Sequence, residues 1–169
     1  EIDVINVADP AHPYQVSKFQ ADGNASDVSI NGSTAILCTF MDSTNYMVAI
    51  DISNPTDLKL TSTVPLGAVT PIDAAPREMA LRDNVVFVVD EFGLRIFDLS
   101  DPANIHQFGQ IQTDSSGNTS VGIVLKGNYA YIAASSGGVR IVDISDLQNP
   151  VEVGSFDQSV GSLALNDNQ

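Results

Sequence analysis

The stretch Gly93-Leu94-Arg95-Ile96-Phe97-Asp98-Leu99-Ser100-Asp101-Pro102 decides the fold, because it returns as Gly138-Val139-Arg140-Ile141-Val142-Asp143-Ile144-Ser145-Asp146. Both copies finish on an aspartate, an aliphatic residue, a serine and a second aspartate. Asp51-Ile52-Ser53-Asn54-Pro55 carries the same ending, and Asn6-Val7-Ala8-Asp9-Pro10 a weaker one. The first residues of these endings stand at 6, 51, 98 and 143, so the spacings are 45, 47 and 45. A period near 45 built from short strands is that of propeller blades rather than of a helical solenoid.

The register extends outward from the signature. After it, an apolar column reads Phe19, Val64, Ile111, Phe156, and two residues earlier a column of small residues reads Ser17, Ser62, Gly109, Gly154. Before it lie runs such as Val85–Val89 and Tyr129–Ala133, rich in β-branched and aromatic residues. Asn-Gly, Asp-Asn and Gly-Asn pairs punctuate them, as turns between strands do. Each period therefore reads as four strands, a to d. The two middle strands are apolar on both faces and strand d carries charge (Lys18, Lys59, Glu152), as an outer edge facing water requires. A β-sandwich also spaces its strands every 8–12 residues or so, but it would not repeat its turn chemistry in register. The expectation is an all-β chain, a β-propeller of four-stranded antiparallel blades with about four blades in view.

The strings at 93–102 and 138–146, with Asn149-Pro150-Val151-Glu152-Val153-Gly154, resemble the LVIVD repeat. That resemblance covers almost the whole chain. It implies a secreted or cell-surface β-propeller, with no catalytic motif to carry over. The segment Met47–Asp51 departs from the pattern in lacking the Gly-aliphatic-Arg lead-in, and Asn6 stands where the repeat has Asp.

In this register residues 1–20 supply two outer strands of a split blade, 26–66, 77–112 and 120–157 one blade each, and 160–169 the first strand of a further blade. Ring closure within four blades would need one strand more, so the reading favours an excerpt of a larger propeller over a self-contained ring.

Seven basic residues against 21 acidic ones give a formal charge of −14. That field repels phosphate backbones and anionic membrane surfaces, which makes nucleic acid a poor partner, and without a run of 18 apolar residues no direct membrane insertion of this segment is expected. Cys38 is the single cysteine, in an apolar strand, and reads as a small buried hydrophobe. His12 and His106 occupy different repeat positions and have no ligand-spaced Cys or Glu beside them, so zinc is excluded. No Gly-X-Ser-X-Gly elbow exists, and the glycines of Ser135–Gly138 join two strands rather than opening a helix.

Asp51, Asp98 and Asp143 end strand c just before a turn, where a short carboxylate accepts hydrogen bonds from turn N–H groups and the serine hydroxyl. They are read as structural repeat residues. So are Arg95 and Arg140, expected to reach between blades to a carboxylate or carbonyl. The d–a loops carry Asp22, Asp27, Asp73, Asp114 and Asp157, and the b–c loops, on the same face, Asp42, Asp90 and Glu91. Oxygen ligands of this kind suit calcium. Asp22, Asn24 and Asp27 form the best local candidate for such a metal site, although the loop is not an EF-hand. Arg77-Glu78 is the one charged pair placed at the channel mouth. Two functions remain open at this point. The first is a non-catalytic extracellular, cell-surface or periplasmic module binding another protein or surface component through its varied loops. The alternative is a divalent-metal-assisted hydrolase or lyase working at the acidic channel mouth.

Overall fold

The computed structural model describes residues 1–42, 44–68, 78–90, 93–113, 120 and 122–165. Among them are fourteen strands and a single 3-10 turn at Ser135–Gly137. The strands are β1 (Ile2–Asn6), β2 (Tyr14–Phe19), β3 (Asn24–Asn31), β4 (Thr34–Met41), β5 (Thr44–Asp51), β6 (Lys59–Ala68), β7 (Glu78–Arg82), β8 (Val85–Asp90), β9 (Gly93–Asp98), β10 (His106–Ile111), β11 (Gly122–Lys126), β12 (Tyr129–Ala133), β13 (Val139–Asp143) and β14 (Val151–Phe156). They form one two-stranded sheet, β1-β2, and three four-stranded sheets, β3-β4-β5-β6, β7-β8-β9-β10 and β11-β12-β13-β14. Every pairing is antiparallel between neighbours in sequence. These meanders are the blades of the propeller. Residues 160–165, within the segment expected as a further strand, are not in strand.

The blades touch face to face, and three apolar clusters fill the joints between them. Ala21, Phe19 and Ile2 of the first blade meet Leu37, Val48 and Ile50 of the second. Ile36, Cys38, Met47 and Ala49 on the second blade's other face meet Met79, Val86, Val88 and Phe97 of the third. Phe87, Val89, Leu94 and Ile96 of the third meet Ile123, Ile132 and Val142 of the fourth. Successive residues of a middle strand thus serve two different joints, which is why those strands read as continuous apolar runs. Each fully buried aliphatic or aromatic side chain contributes about 1.5–3 kcal/mol, so the joints are the core. Burial also pushes the Cys38 thiol far above its usual range, with Asp27 and Asp90 adding to the shift; it stays a protonated thiol whose sulfur lies 4.0 Å from that of Met79.

Polar contacts repeat at the joints as well. The Ser17 hydroxyl donates to the Pro55 carbonyl of the next blade (2.5 Å), and the Ser62 hydroxyl to that of Pro102 (2.7 Å). At the third joint, the position matching Ser62 is Gly109. A Cβ there would strike the Leu147 carbonyl, in the place equivalent to Pro102. The column of small residues is therefore a row of seats for the following blade's turn. One residue before each seat the outer strand bulges. Val16, Thr61, Phe108 and Val153 fall outside the residue-for-residue pairing with strand c in all four blades. A bulge bends and twists its strand, which here sets the seat against the neighbouring turn.

Candidate functional site

The c–d turns are built alike. The Oδ1 atoms of Asp51, Asp98 and Asp143 accept the backbone N–H of Ser53, Ser100 and Ser145 at 2.8, 2.8 and 2.9 Å, and Asn6 does the same for Ala8 at 2.9 Å. A second side-chain turn follows at once. Asp9, Asn54, Asp101 and Asp146 each accept the N–H two residues on, at 3.0–3.1 Å. Their other oxygens receive the side chains of His12, Asn104 and Asn149 at 2.8, 2.7 and 3.0 Å where the residue is aspartate. His12 thus does in the first turn what asparagine does in the third and fourth. Backbone bonds from Ile52, Leu99 and Ile144 to Ser33, Asn84 and Asn128 tie each of these turns to the a–b hairpin beside it.

These hydrogen bonds favour the charged carboxylate. They hold Asp51, Asp98 and Asp143 below the usual 3.8, through the serine N–H first and the serine hydroxyl second. Asp101 and Asp146 are lowered chiefly by Asn104 and Asn149, and Asp9 by His12. A folded-state pKa below the unfolded one contributes stability that is present above the ordinary carboxylate value and is lost as pH falls through the folded one. The melting temperature is therefore expected to drop as pH is lowered beneath about 4. Asp51→Asn/Asp98→Asn/Asp143→Asn keeps an acceptor oxygen, as Asn6 does, but not the charge, so it is expected to lower the neutral-pH melting point modestly toward the acid value and so flatten that acid limb. A thermal melt across pH 2–7 checks both. An acid limb unchanged in the triple variant would show that these turns do not carry it.

The opposite face, where the d–a and b–c loops emerge, is less uniform. Asp22, Asp42 and Asp157 are exposed there. Asp42 adopts a left-handed backbone, φ 49°. Asp73, Asp114, Glu91 and Arg77 lie outside the described residues. Asp90 is not a loop acid. It sits at the end of β8, 1% exposed, with its Oδ2 2.7 Å from Arg95 Nε on the adjacent β9. Arg95 thus has an ion-pair partner inside its own blade. Arg140 likewise turns to its own blade, 3.5 Å from Glu152 and 3.4 Å from Asp157.

Asp27 lies within β3, half-buried. Its Oδ2 accepts the Met79 N–H of the next blade's inner strand at 2.8 Å, and its Oδ1 accepts the Val28 N–H at 2.8 Å. Asp22 and Asn24 are exposed at the loop before it and at the strand's first residue. Each Asp27 oxygen thus accepts one backbone N–H. Among the described residues no three His, Cys, Asp or Glu side chains gather as metal ligands do. Glu78 repeats the role of Asp27 one blade on, accepting the Ile123 N–H. Desolvation first, and the nearby charge of Asp27 second, raise it above 4.5. The sequence places Glu78 at the channel mouth but does not show that its oxygen is taken by the next strand. Its equivalence to Asp27 in the repeat is the signal that would have found this. A cleft of about 80 Å³ between the first two blades is lined by Phe19, Asp22, Thr39 and Tyr46 among others. Ordinary ligand pockets are several-fold larger.

Joints sealed by apolar clusters, seats and twinned turns define a class, the modular β-propeller in which each blade is one sequence repeat. The LVIVD repeat matches residues 22–65, 76–113 and 117–158, and the chain belongs to the LVIVD repeat family. Among solved structures it is similar to the computationally designed Ika4 protein, with TM-score 0.61 and 11% identity over 88% of this chain and 84% of that one. It is also similar to the computationally designed Ika8 protein, with TM-score 0.63 and 11% identity over 92% of this chain and 45% of that one. At such identities the likeness concerns the fold alone. No curated protein matches the chain in sequence. Among the described residues no helix is long and apolar enough to cross a membrane.

Proposed function

We propose that this chain is a non-catalytic propeller module, secreted, periplasmic or held at the cell surface, that binds another protein or assembles with neighbouring modules. One contrast carries the reading. The recurring carboxylates of the c–d turns are consumed by their own turns, whereas Asp22, Asp42 and Asp157 project from loops that differ between blades. Rigid blades presenting varied loops make a recognition surface. With a formal charge of −14, that surface favours a partner with a basic patch, by steering and by matched charge.

A lysine-rich peptide at low salt serves as the probe. Asp22→Asn/Asp42→Asn/Asp157→Asn is expected to weaken its binding several-fold, while the Asp51/Asp98/Asp143 triple variant leaves it within about twofold. Equal losses from both sets would show general charge attraction and remove the loop face as the site. Calcium separates the hydrolase or lyase alternative. Among the described residues no three acidic or histidine side chains gather as metal ligands do, so no rise in melting temperature on calcium addition is expected. A site filled at a hundred times its Kd would add about 2.7 kcal/mol, a shift of several degrees, and would restore the metal-dependent reading.

A further inference from the structure

The joint between the second and third blades is made by two whole blades, and it gathers sulfur. On one face of the second blade Asp27, Cys38 and Met47 stand side by side across β3, β4 and β5. Met79 of β7 meets them from the third blade. Cys38 and Met47 are 0% exposed and Met79 6%, and the Cys38 and Met79 sulfurs lie 4.0 Å apart. The bond from the Met79 N–H to Asp27 Oδ2, at 2.8 Å, holds the two blades in that register. The chain has one cysteine and three methionines, so three of its four sulfur atoms belong to this joint. Packing does not demand them. The equivalent positions of the next joint are Glu78, Val89, Leu94 and Ile123, where the carboxylate is kept and every sulfur residue is a hydrocarbon. That joint is sealed as well, with Val89, Leu94 and Ile123 at most 3% exposed.

From this exchange of hydrocarbon for sulfur we propose that the joint binds one soft monovalent metal ion, Cu(I), through the Cys38 thiolate and the thioethers of Met47 and Met79. Thiolate and thioether are the ligands that select Cu(I) over harder ions. At a metal–sulfur distance of about 2.3 Å, the zinc–thiolate value, sulfurs 4.0 Å apart subtend about 120° at the ion, the angle of three-coordination. Charge balances too. The ion takes the place of the thiol proton, which leaves to solvent, so the thiol and the Cu(I)–thiolate carry the same charge. A bare thiolate there is opposed by the charges of Asp27 and Asp90, and those same charges favour a cation beside it. The site goes beyond the binding role proposed above and uses none of the exposed loop acids, so the peptide assay and the test below are decided separately.

Anaerobic titration with Cu(I), followed by near-ultraviolet thiolate-to-metal absorbance and by proton release, reads the outcome. One ion per chain and close to one proton per ion are expected, with a melting temperature several degrees higher. Supplying the ion during refolding from urea as well removes any barrier to entering the closed joint. Cys38→Val/Met47→Leu/Met79→Ile rebuilds the joint with the side chains of its neighbour. It is expected to melt near the metal-free wild type and to bind no Cu(I). Met47→Leu/Met79→Ile keeps the thiol and is expected to bind about tenfold or more weakly, since even loss of outer-shell support costs that much at metal sites. Copper X-ray absorption of the wild-type complex reads the ligands with no substitution, and three sulfur neighbours are expected. A wild-type chain that binds no Cu(I) after refolding with it would overturn the proposal and leave the trio as core packing. So would a triple variant that still binds, which would place the ion elsewhere. A methionine double variant closer to wild type than tenfold, or fewer than three sulfurs around copper, would equally overturn it.

Discussion

Asp90→Ala is expected to destabilise the protein by about 3–5 kcal/mol, the loss typical of stranding one partner of a buried ion pair. The Asp90 side chain is 2% exposed and that of Arg95 14%, with Nε and Oδ2 2.7 Å apart across the β8–β9 hairpin. Alanine would leave the guanidinium on the face of Val88, its cross-strand neighbour and itself sealed from water, without the carboxylate that helps offset its desolvation. Replacing both partners with apolar residues of similar volume, Asp90→Leu/Arg95→Met, is expected to cost much less than the single change, since no charge is then left buried. Urea unfolding of the two single variants and the double gives the coupling directly. A single variant within about 1 kcal/mol of wild type would show that the pair is solvated in solution.

Gly138→Ala carries the second large effect, on the order of 3 kcal/mol or more. The residue closes the β12–β13 connection at φ 81°, where an L side chain is strained. The added Cβ would also run into the Phe156 carbonyl and lie 2.9 Å from the Gln158 nitrogen. Gly93 stands at the same repeat position, at φ 122°, where a Cβ would lie 2.5 Å from the Ile111 carbonyl oxygen and 2.6 Å from the Thr113 nitrogen. The leading glycine of the repeat is thus required by backbone angle and by the approach of strand d together. Gly127→Ala is the control that separates these causes. Gly127 also has positive φ, 55°, but nothing lies within 4 Å of its Cβ position, and Asp83 already fills the equivalent position at φ 54°. Its cost is expected at about 1 kcal/mol. Equal losses at 127 and 138 in a denaturant titration would assign the whole effect to backbone angle and dismiss the close approach.

The fold was legible because the repeat writes its turns in residue types with a known mechanism. An Asp or Asn two residues before a backbone N–H, four times in register, places the end of strand c more firmly than any hydrophobic pattern. The continuous apolar runs marked strands buried on both faces for the same reason. What connects the blades was not legible. The seats at Ser17, Ser62 and Gly109 read only as small residues, because the carbonyls they meet lie 38–40 positions away. The bulges at Val16, Thr61, Phe108 and Val153 leave no mark in a period-two pattern that already wavers in strand d. Arg95 invited a partner across the joint, but Asp90, five residues earlier, reaches it diagonally across the β8–β9 hairpin, on the same face as Val88 opposite Arg95, a proximity that sequence offsets do not display. The acidic face was overdrawn for a related reason. Asp27 and Asp90 belong by position to loop ends, yet one is tied to the next blade's backbone and the other is buried.

The recurring bulge has a further consequence at the rim. Four outer strands, β2, β6, β10 and β14, turn an unpaired edge to solvent, and open edges are ready templates for adding strands from other molecules without limit. A displaced residue in each of them breaks the run of evenly spaced donors and acceptors and twists the edge out of plane. An incoming strand therefore finds no straight ladder to extend. The device that fits each blade to its neighbour also guards the perimeter against amyloid-like growth.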